Sequence, residues 1–169
     1  LGDVYKRQIL TVTRKEEWLV MNFPRQPPLP CKMPSELIDA FDKVPVECLK
    51  AEDLIVVFED EIDVESARPD MGRLLKLDSR GVIITSRSTR FDFVARFFAP
   101  KYGIPEDPVT GSAYTQLAPY WASKMGKTRF HAKQLSRRGG ELLCEIVKDR
   151  VLIYGKAVKY LEGVIIIEA

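Results

Sequence analysis

Two carboxylates, Glu106 and Asp107, lie between Pro105 and Pro108, directly before Val109-Thr110-Gly111-Ser112-Ala113 and the helix that follows. Proline fixes φ on both sides of the acidic pair, so the pattern predicts a stiff loop. Gly111 has no Cβ and lets the backbone approach a ligand closely. Thr110 or Ser112 can cap the helix, whose first N–H groups lack partners within it. Free amides at the positive end of a helix dipole suit an anion such as a carboxylate. A rigid acid beside an anion cradle is suited to proton transfer on a small carboxylated molecule. The same residues also make an ordinary helix cap with no chemistry, and local pattern leaves both readings open.

The elements that must hold this segment are mainly strands. The expected helix, Ser112 to Met125, carries Ala113, Leu117, Tyr120 or Trp121, and Met125 at helical spacing, with Gly126 as its stop. Apolar residues around most of its circumference predict a helix buried inside a curled sheet, and Pro119 predicts a kink. Upstream, Ile9 to Thr13 and Trp18 to Phe23 read as a hairpin, with Leu19, Met21 and Phe23 on one face and poorly covered. Five prolines between Pro24 and Pro34 exclude regular structure and mark a linker. Ser35 can cap a short helix through Phe41, strands are expected at Leu54 to Phe58, Gly81 to Thr85 and Phe91 to Ala99, and a helical stretch lies around Pro69 to Leu77. After the central helix come strands at Arg129 to Leu135, Glu141 to Val147, Val151 to Val158 and Gly163 to Ile167. Asp149-Arg150 reads as a tight turn, and Gly139-Gly140 as a turn or a close backbone approach.

The run Phe91-Asp92-Phe93-Val94-Ala95-Arg96-Phe97-Phe98-Ala99-Pro100, then Glu106 to Ala113, Leu117-Ala118-Pro119-Tyr120-Trp121 and Gln134 to Gly140, resembles the signature of the PhzF-like phenazine-biosynthesis family. The resemblance runs from about Leu10 to the C-terminus and is sharpest from Phe91 to Ala157. It implies an α+β, diaminopimelate-epimerase-like lobe: a mostly antiparallel sheet curled around a central helix, with the active site between two such lobes. It further implies a cofactor-independent isomerase, of proton-shift or epimerase type, acting on a small carboxylated metabolite. Asp107 carries over as the catalytic residue, standing where the cysteine-pair epimerases of the same fold would carry a thiol. Gly111 and Ser112 carry over as substrate-binding residues. The family's glutamate and Gly-His dipeptide have no counterpart in this chain.

The resemblance therefore implies a chain shortened at its N-terminus and inactive by itself, belonging to a full-length homodimeric parent. Residues 1–8 are without clear period and resemble adaptor-derived sequence, so they are set apart from the fold. Residues 9–30 are assigned to a remnant of the N-terminal lobe and the linker, and residues 31–169 to the C-terminal lobe. The alternative is a non-catalytic lobe that binds a small acid or oligomerises.

Composition fits a soluble globular protein, 46% hydrophobic and 30% charged, and a net charge of +2 is too small a bias to point to nucleic acid. The longest apolar run, Val164 to Ile167, is far too short for a membrane span. Three widely spaced cysteines and one histidine argue against a metal site and favour a reducing cytoplasm. Glu59-Asp60-Glu61 with Asp63 reads as a solvated turn, His131 as a strand residue, and Tyr120, Trp121 and Phe130 as core.

Overall fold

The computed structural model describes residues 10–164. One continuous sheet of eleven strands curls around one long helix. Strands β1 (Thr11–Lys15) and β2 (Trp18–Pro24) form the hairpin, turning at Glu16, which adopts positive φ. Then follow β3 (Leu29–Pro30), α1 (Ser35–Ile38), β4 (Glu47–Lys50), β5 (Leu54–Val57), α2 (Glu61–Ser66), α3 (Met71–Leu74), β6 (Val82–Arg87) and β7 (Phe93–Ala99). A one-turn 3-10 helix, Pro100–Tyr102, leads to β8 (Ile104–Asp107) and the central helix α4 (Gly111–Met125). The chain closes with β9 (Arg129–Gln134), β10 (Gly140–Val147) and β11 (Arg150–Gly155). The strand order is β1-β2-β11-β10-β9-β7-β6-β5-β4-β3, with β8 paired to β7. Among the described residues, only β5–β6 and β7–β9 are parallel.

Period-two alternation sorts the strands' side chains between two cores. From β5, β6 and β7, Ile55, Val57, Ile83, Phe93, Ala95 and Phe97 point inward onto α4. Their neighbours Leu54, Val56, Val82, Ile84, Val94 and Phe98 point outward, beneath Leu37, Val64 and Leu74 of the short helices. Both faces of this half of the sheet are covered, which is why its strands read as unbroken apolar runs. The other half contributes Phe130, Ala132, Leu142, Cys144, Val151 and Ile153 to the inner core.

Helix α4 is enclosed as its all-round apolar surface predicts, by strands that precede it and strands that follow it in sequence. Trp121 stacks on Phe93 with ring centroids 5.6 Å apart, and its indole N–H donates to Thr85 Oγ1 at 3.1 Å. The buried aromatic thus packs its body while its one polar atom keeps a partner. The helix runs through Pro119 and stops at Gly126, whose φ of 66° is the left-handed conformation that glycine adopts without Cβ strain.

Several expectations are corrected by the structure. The acidic segment is a short strand, not a loop: Asp107 pairs with Phe97 and Ile104 with Ala99. An edge strand that pairs on one side only can accommodate Pro105. The proline-rich linker contains β3, which pairs with Leu49 and Lys50. Glu61 and Asp63 belong to the first turn of α2, where negative charge is favourable, rather than to a solvated turn. The β10–β11 turn is centred on Lys148-Asp149, with Lys148 at positive φ, one position before the expected Asp149-Arg150. β11 ends at Gly155, short of Val158. Of the strand expected over Gly163 to Ile167, Gly163 and Val164 are not in a strand, and the rest lies outside the described residues.

The hairpin joins the same sheet, since β2 pairs with β11 from Pro24–Arg150 to Leu19–Gly155. Met21 and Phe23 pack against the inner core, while Leu19 remains 36% exposed, so the expected poor cover holds for Leu19 alone. From β2 the chain runs as a strap to β3: Arg25 N–H donates to Asp149 O and Gln26 N–H to Thr115 O of α4. The strap therefore links strands that lie far apart in the sheet order and touches the central helix on the way.

Candidate functional site at the mouth of the central helix

In β8 successive side chains take opposite sides of the strand, and this separates the two carboxylates. Glu106 forms a two-point ion pair with the buried Arg96, at 2.6 and 3.0 Å. Arg96 also donates to the backbone oxygens of Val64, Glu65 and Ala67 at the C-terminal end of α2. Glu106 is thereby committed to holding the outer helix layer, with its charge compensated in a fixed fork geometry.

Asp107 is half-buried and engaged differently. Its Oδ2 accepts a short hydrogen bond from Thr110 Oγ1, and its Oδ1 has no partner among the described residues. The backbone around it is stapled by β9 and the turn after it. Gln134, almost fully buried, donates from Nε2 to Asp107 O at 2.8 Å and to Thr110 Oγ1 at 3.1 Å, and accepts from Thr110 N–H at 2.9 Å. Ser136 Oγ donates to Pro108 O at 2.7 Å and accepts from Gly139 N–H at 2.9 Å. A chain of hydrogen bonds from Gln134 through Thr110 thus fixes one carboxylate oxygen of Asp107 and leaves the other free. Thr110 occupies the N-cap position of α4, but its hydroxyl does not cap the helix. Donating to Asp107 and accepting from Gln134, it takes up other partners than the helix amides it could have capped.

Gly111 borders an open groove of about 1250 Å³, whose walls include Met21, Val109, Arg138, Gly140 and Leu142. A Cβ at Gly111 would meet only Met21 Cε, at 3.9 Å, so the groove reaches the helix backbone there. Ser112 lies one residue into the helix, and its hydroxyl accepts from Arg80 Nη2 at 3.1 Å. The Ser112 side chain is therefore tied to Arg80, and its backbone N–H is the group it can offer to an anion. No side chain caps the start of α4.

Arg80 belongs to a second buried network that sequence reasoning missed. It donates to Asp53 from Nε at 2.9 Å and from Nη2 at 2.6 Å. Asp53, fully buried, also accepts from Gln116 Nε2 at 2.7 Å, and its own N–H donates to Gln116 Oε1 at 3.0 Å. Hydrogen bonding to the Asp53 carboxylate makes the Arg80 guanidinium more basic than usual. The network locks the first turns of α4 to the β4–β5 turn. The available signal was polarity at inward positions: Gln134 continues the inward series Phe130, Ala132 on β9, and Gln116 lies among buried residues of α4.

Gly140 shows what brings the site segment against the sheet. A Cβ there would collide with Val109 Cγ2, and Gly139 turns at a φ of 68°. Both expectations for this glycine pair, a turn and a close approach, are realised by different members of it. Gly140→Ala should lower unfolding free energy by ~1–3 kcal/mol, as overpacking does, and adding Val109→Ala should restore most of it. Urea unfolding of the three variants checks this; equal loss in the double variant would mean that Val109 is not the obstacle.

An antiparallel-dominated sheet curled around one buried helix, with a stapled carboxylate where that helix begins, defines a lobe of the diaminopimelate-epimerase-like class. Residues 13–163 match the model of the phenazine biosynthesis-like proteins, PhzC-PhzF, and the chain belongs to that family. A protein named as an uncharacterized isomerase of Pseudomonas aeruginosa is 48% identical over 154 residues, covering 91% of this chain and 60% of its own length. A second such isomerase, of Halalkalibacterium halodurans, is 39% identical, covering 94% of this chain and 61% of its own length. The crystal structure of a phenazine biosynthesis protein of the PhzF family from Enterococcus faecalis superposes with a TM-score of 0.86 at 40% identity. That match covers 90% of this chain and 59% of the other. The chain thus spans about three fifths of the length of the relatives it matches. Some of its relatives are named as isomerases and others only as phenazine biosynthesis-like domain-containing proteins.

Proposed function

We propose that this chain is one lobe of a cofactor-independent isomerase, of proton-shift or epimerase type, that acts on a small carboxylated metabolite. Asp107 is the acid or base at the substrate carbon. The observation that carries this reading is the free Oδ1 of a carboxylate whose other oxygen and backbone are held by Thr110 and Gln134. A proton-transfer group must be fixed in position yet have one oxygen open to its substrate. Beside it, the backbone N–H groups of Gly111 and Ser112 hold the substrate carboxylate and offset negative charge that builds up on it as the carbon loses its proton.

Moving a proton across a substrate takes a second acid or base facing Asp107. That group is proposed to come from residues outside this chain, on a second lobe that faces the start of α4. By itself the chain is then inactive, and the parent is a homodimer. The free thiols of Cys31, Cys48 and Cys144 are in keeping with a reducing cytoplasm, and no described helix is long and apolar enough to cross a membrane.

A second reading, a lobe that binds a small acid without catalysis or serves for assembly, has the β1 edge in its favour. All of β1 is exposed, with Val12 at 62%, and its outer edge, unpaired among the described residues, offers backbone groups to another chain. A chimaera separates the readings: residues 10–164 replace the matching region of the Pseudomonas aeruginosa relative. In deuterated water, the chimaera should introduce deuterium into a small carboxylated substrate, followed by NMR across a panel of such acids. Binding without any exchange, for every acid that the parent relative turns over, would decide for the second reading.

A further inference from the structure

Cys31 and Cys48 lie outside the site described above, with their Sγ atoms 3.5 Å apart. Their approach follows from the strand register. β3 pairs Leu29 with Lys50 and Pro30 with Leu49, so the next rung sets Cys31 opposite Cys48. Cys31 N–H donates to Cys48 O at 3.0 Å, which continues the ladder by one residue. Directly opposed, hydrogen-bonded residues of an antiparallel pair have Cα atoms about 5.5 Å apart. A disulfide needs a Cα separation of roughly 4.4–6.8 Å, a range that includes this strand spacing.

We infer that Cys31 and Cys48 form a thiol pair that a low-molecular-weight disulfide, such as oxidised glutathione, converts into an intramolecular disulfide. The two thiols differ in access. Cys31 is half-buried at the end of the proline-rich strap, whereas Cys48 is buried on β4. Burial, together with the neighbouring Cys31 thiol, pushes the Cys48 thiol up to about 12. Cys31 is therefore the thiol that attacks first. Its thiolate displaces one glutathione thiolate and forms a mixed disulfide. The Cys48 thiolate then attacks the Cys31 sulfur and expels the second glutathione. The two protons lost by the cysteines end on the two glutathione thiols, so one disulfide is reduced as another forms.

Cys144 provides an internal control. It is buried in the core around α4, whereas Cys48 belongs to the core on the opposite face of the sheet and Cys31 packs against that same outer core. The sheet itself separates Cys144 from the pair. Closing the bond would tie the far end of the strap, which already touches α4 at Thr115, to β4.

The test treats the whole chain with oxidised glutathione at mildly alkaline pH, quenches it with iodoacetamide before unfolding, and maps tryptic peptides by mass. The expected product is a cross-link between peptides 26–32 and 44–50 that reductant releases, with Cys144 alkylated only after unfolding. Cys48→Ser should stop at a glutathione adduct on Cys31, and Cys31→Ser should leave Cys48 unmodified. The inference is overturned if both thiols remain free in the wild-type chain, if the wild-type reaction halts at the adduct, or if the linked peptides come from two different chains. The wild-type peptide map decides the matter even where a serine variant does not fold.

Discussion

Asp107→Asn, introduced into the chimaera, should cut deuterium incorporation by ~10²–10⁴-fold, the usual contribution of a positioned acid or base. Asparagine keeps the shape and still offers an oxygen to Thr110 Oγ1, so the stapled segment should persist. What it cannot do is take up and return a proton. The loss should fall on turnover, with KM nearly unchanged, because in the proposed mechanism the substrate carboxylate is held by backbone N–H groups of Gly111 and Ser112 that the substitution does not touch. Ser112→Ala is the useful contrast, since it removes the acceptor of the Arg80 hydrogen bond but no backbone amide. An Asp107→Asn chimaera that exchanges protons at the parental rate would reduce Asp107 to a residue that merely orders the entrance to the helix.

The largest effect on stability is expected at Asp53. Its side chain is fully buried and receives two hydrogen bonds from Arg80 and one from Gln116. Asp53→Ala removes the buried anion of that network, leaving the Arg80 guanidinium with only the half-exposed Glu52 at 3.4 Å and a buried amide facing a cavity. Breaking a buried ion pair by deleting one partner costs about 3–5 kcal/mol, a large part of what a domain of this size has. The cost measures the stranded partners rather than the value of the pair. Asp53→Leu combined with Arg80→Met should therefore recover much of the loss. Urea denaturation of the single and double variants measures both quantities, and a loss below ~1 kcal/mol for Asp53→Ala would place the pair with ordinary surface ion pairs.

The parts of this fold that could be read from the sequence are those encoded by neighbours along the chain. Helix α4 shows itself through apolar spacing and Gly126, and the hairpin through alternation about Lys15-Glu16. The strands β5, β6 and β7 are apolar enough to be recognised without knowing that they face two cores. β8 escapes because Pro105 and Pro108 read as loop, and only its position on an unpaired edge makes a strand tolerable. The short β3 and β4 have too few residues for a period to emerge.

Site residues divide in the same way. Asp107, Gly111 and Ser112 belong to one contiguous segment, whereas Gln134 reaches Thr110 across 24 positions and Gln116 reaches Asp53 across 63. Such pairings exist only once the sheet has curled. Glu106 and Asp107 look equivalent in sequence, and it is Arg96, on the neighbouring strand, that gives them different tasks.

The strap and the β2–β11 ladder have a consequence for how the molecule is made. Asn22 meets Arg150 across 128 positions, so the hairpin leaves the ribosome long before the strand that completes its pairing. At roughly 5–20 residues per second, that interval is on the order of ten seconds. During it, Met21 and Phe23 have no partner strand and β2 has an open edge, a template for pairing with a neighbouring nascent chain. Closing so long a loop is also slow, because its entropy must be lost before the ladder offers any return. Docking of the hairpin should therefore be a late event in folding, and the growing chain a natural client for chaperones that shield newly made apolar strands.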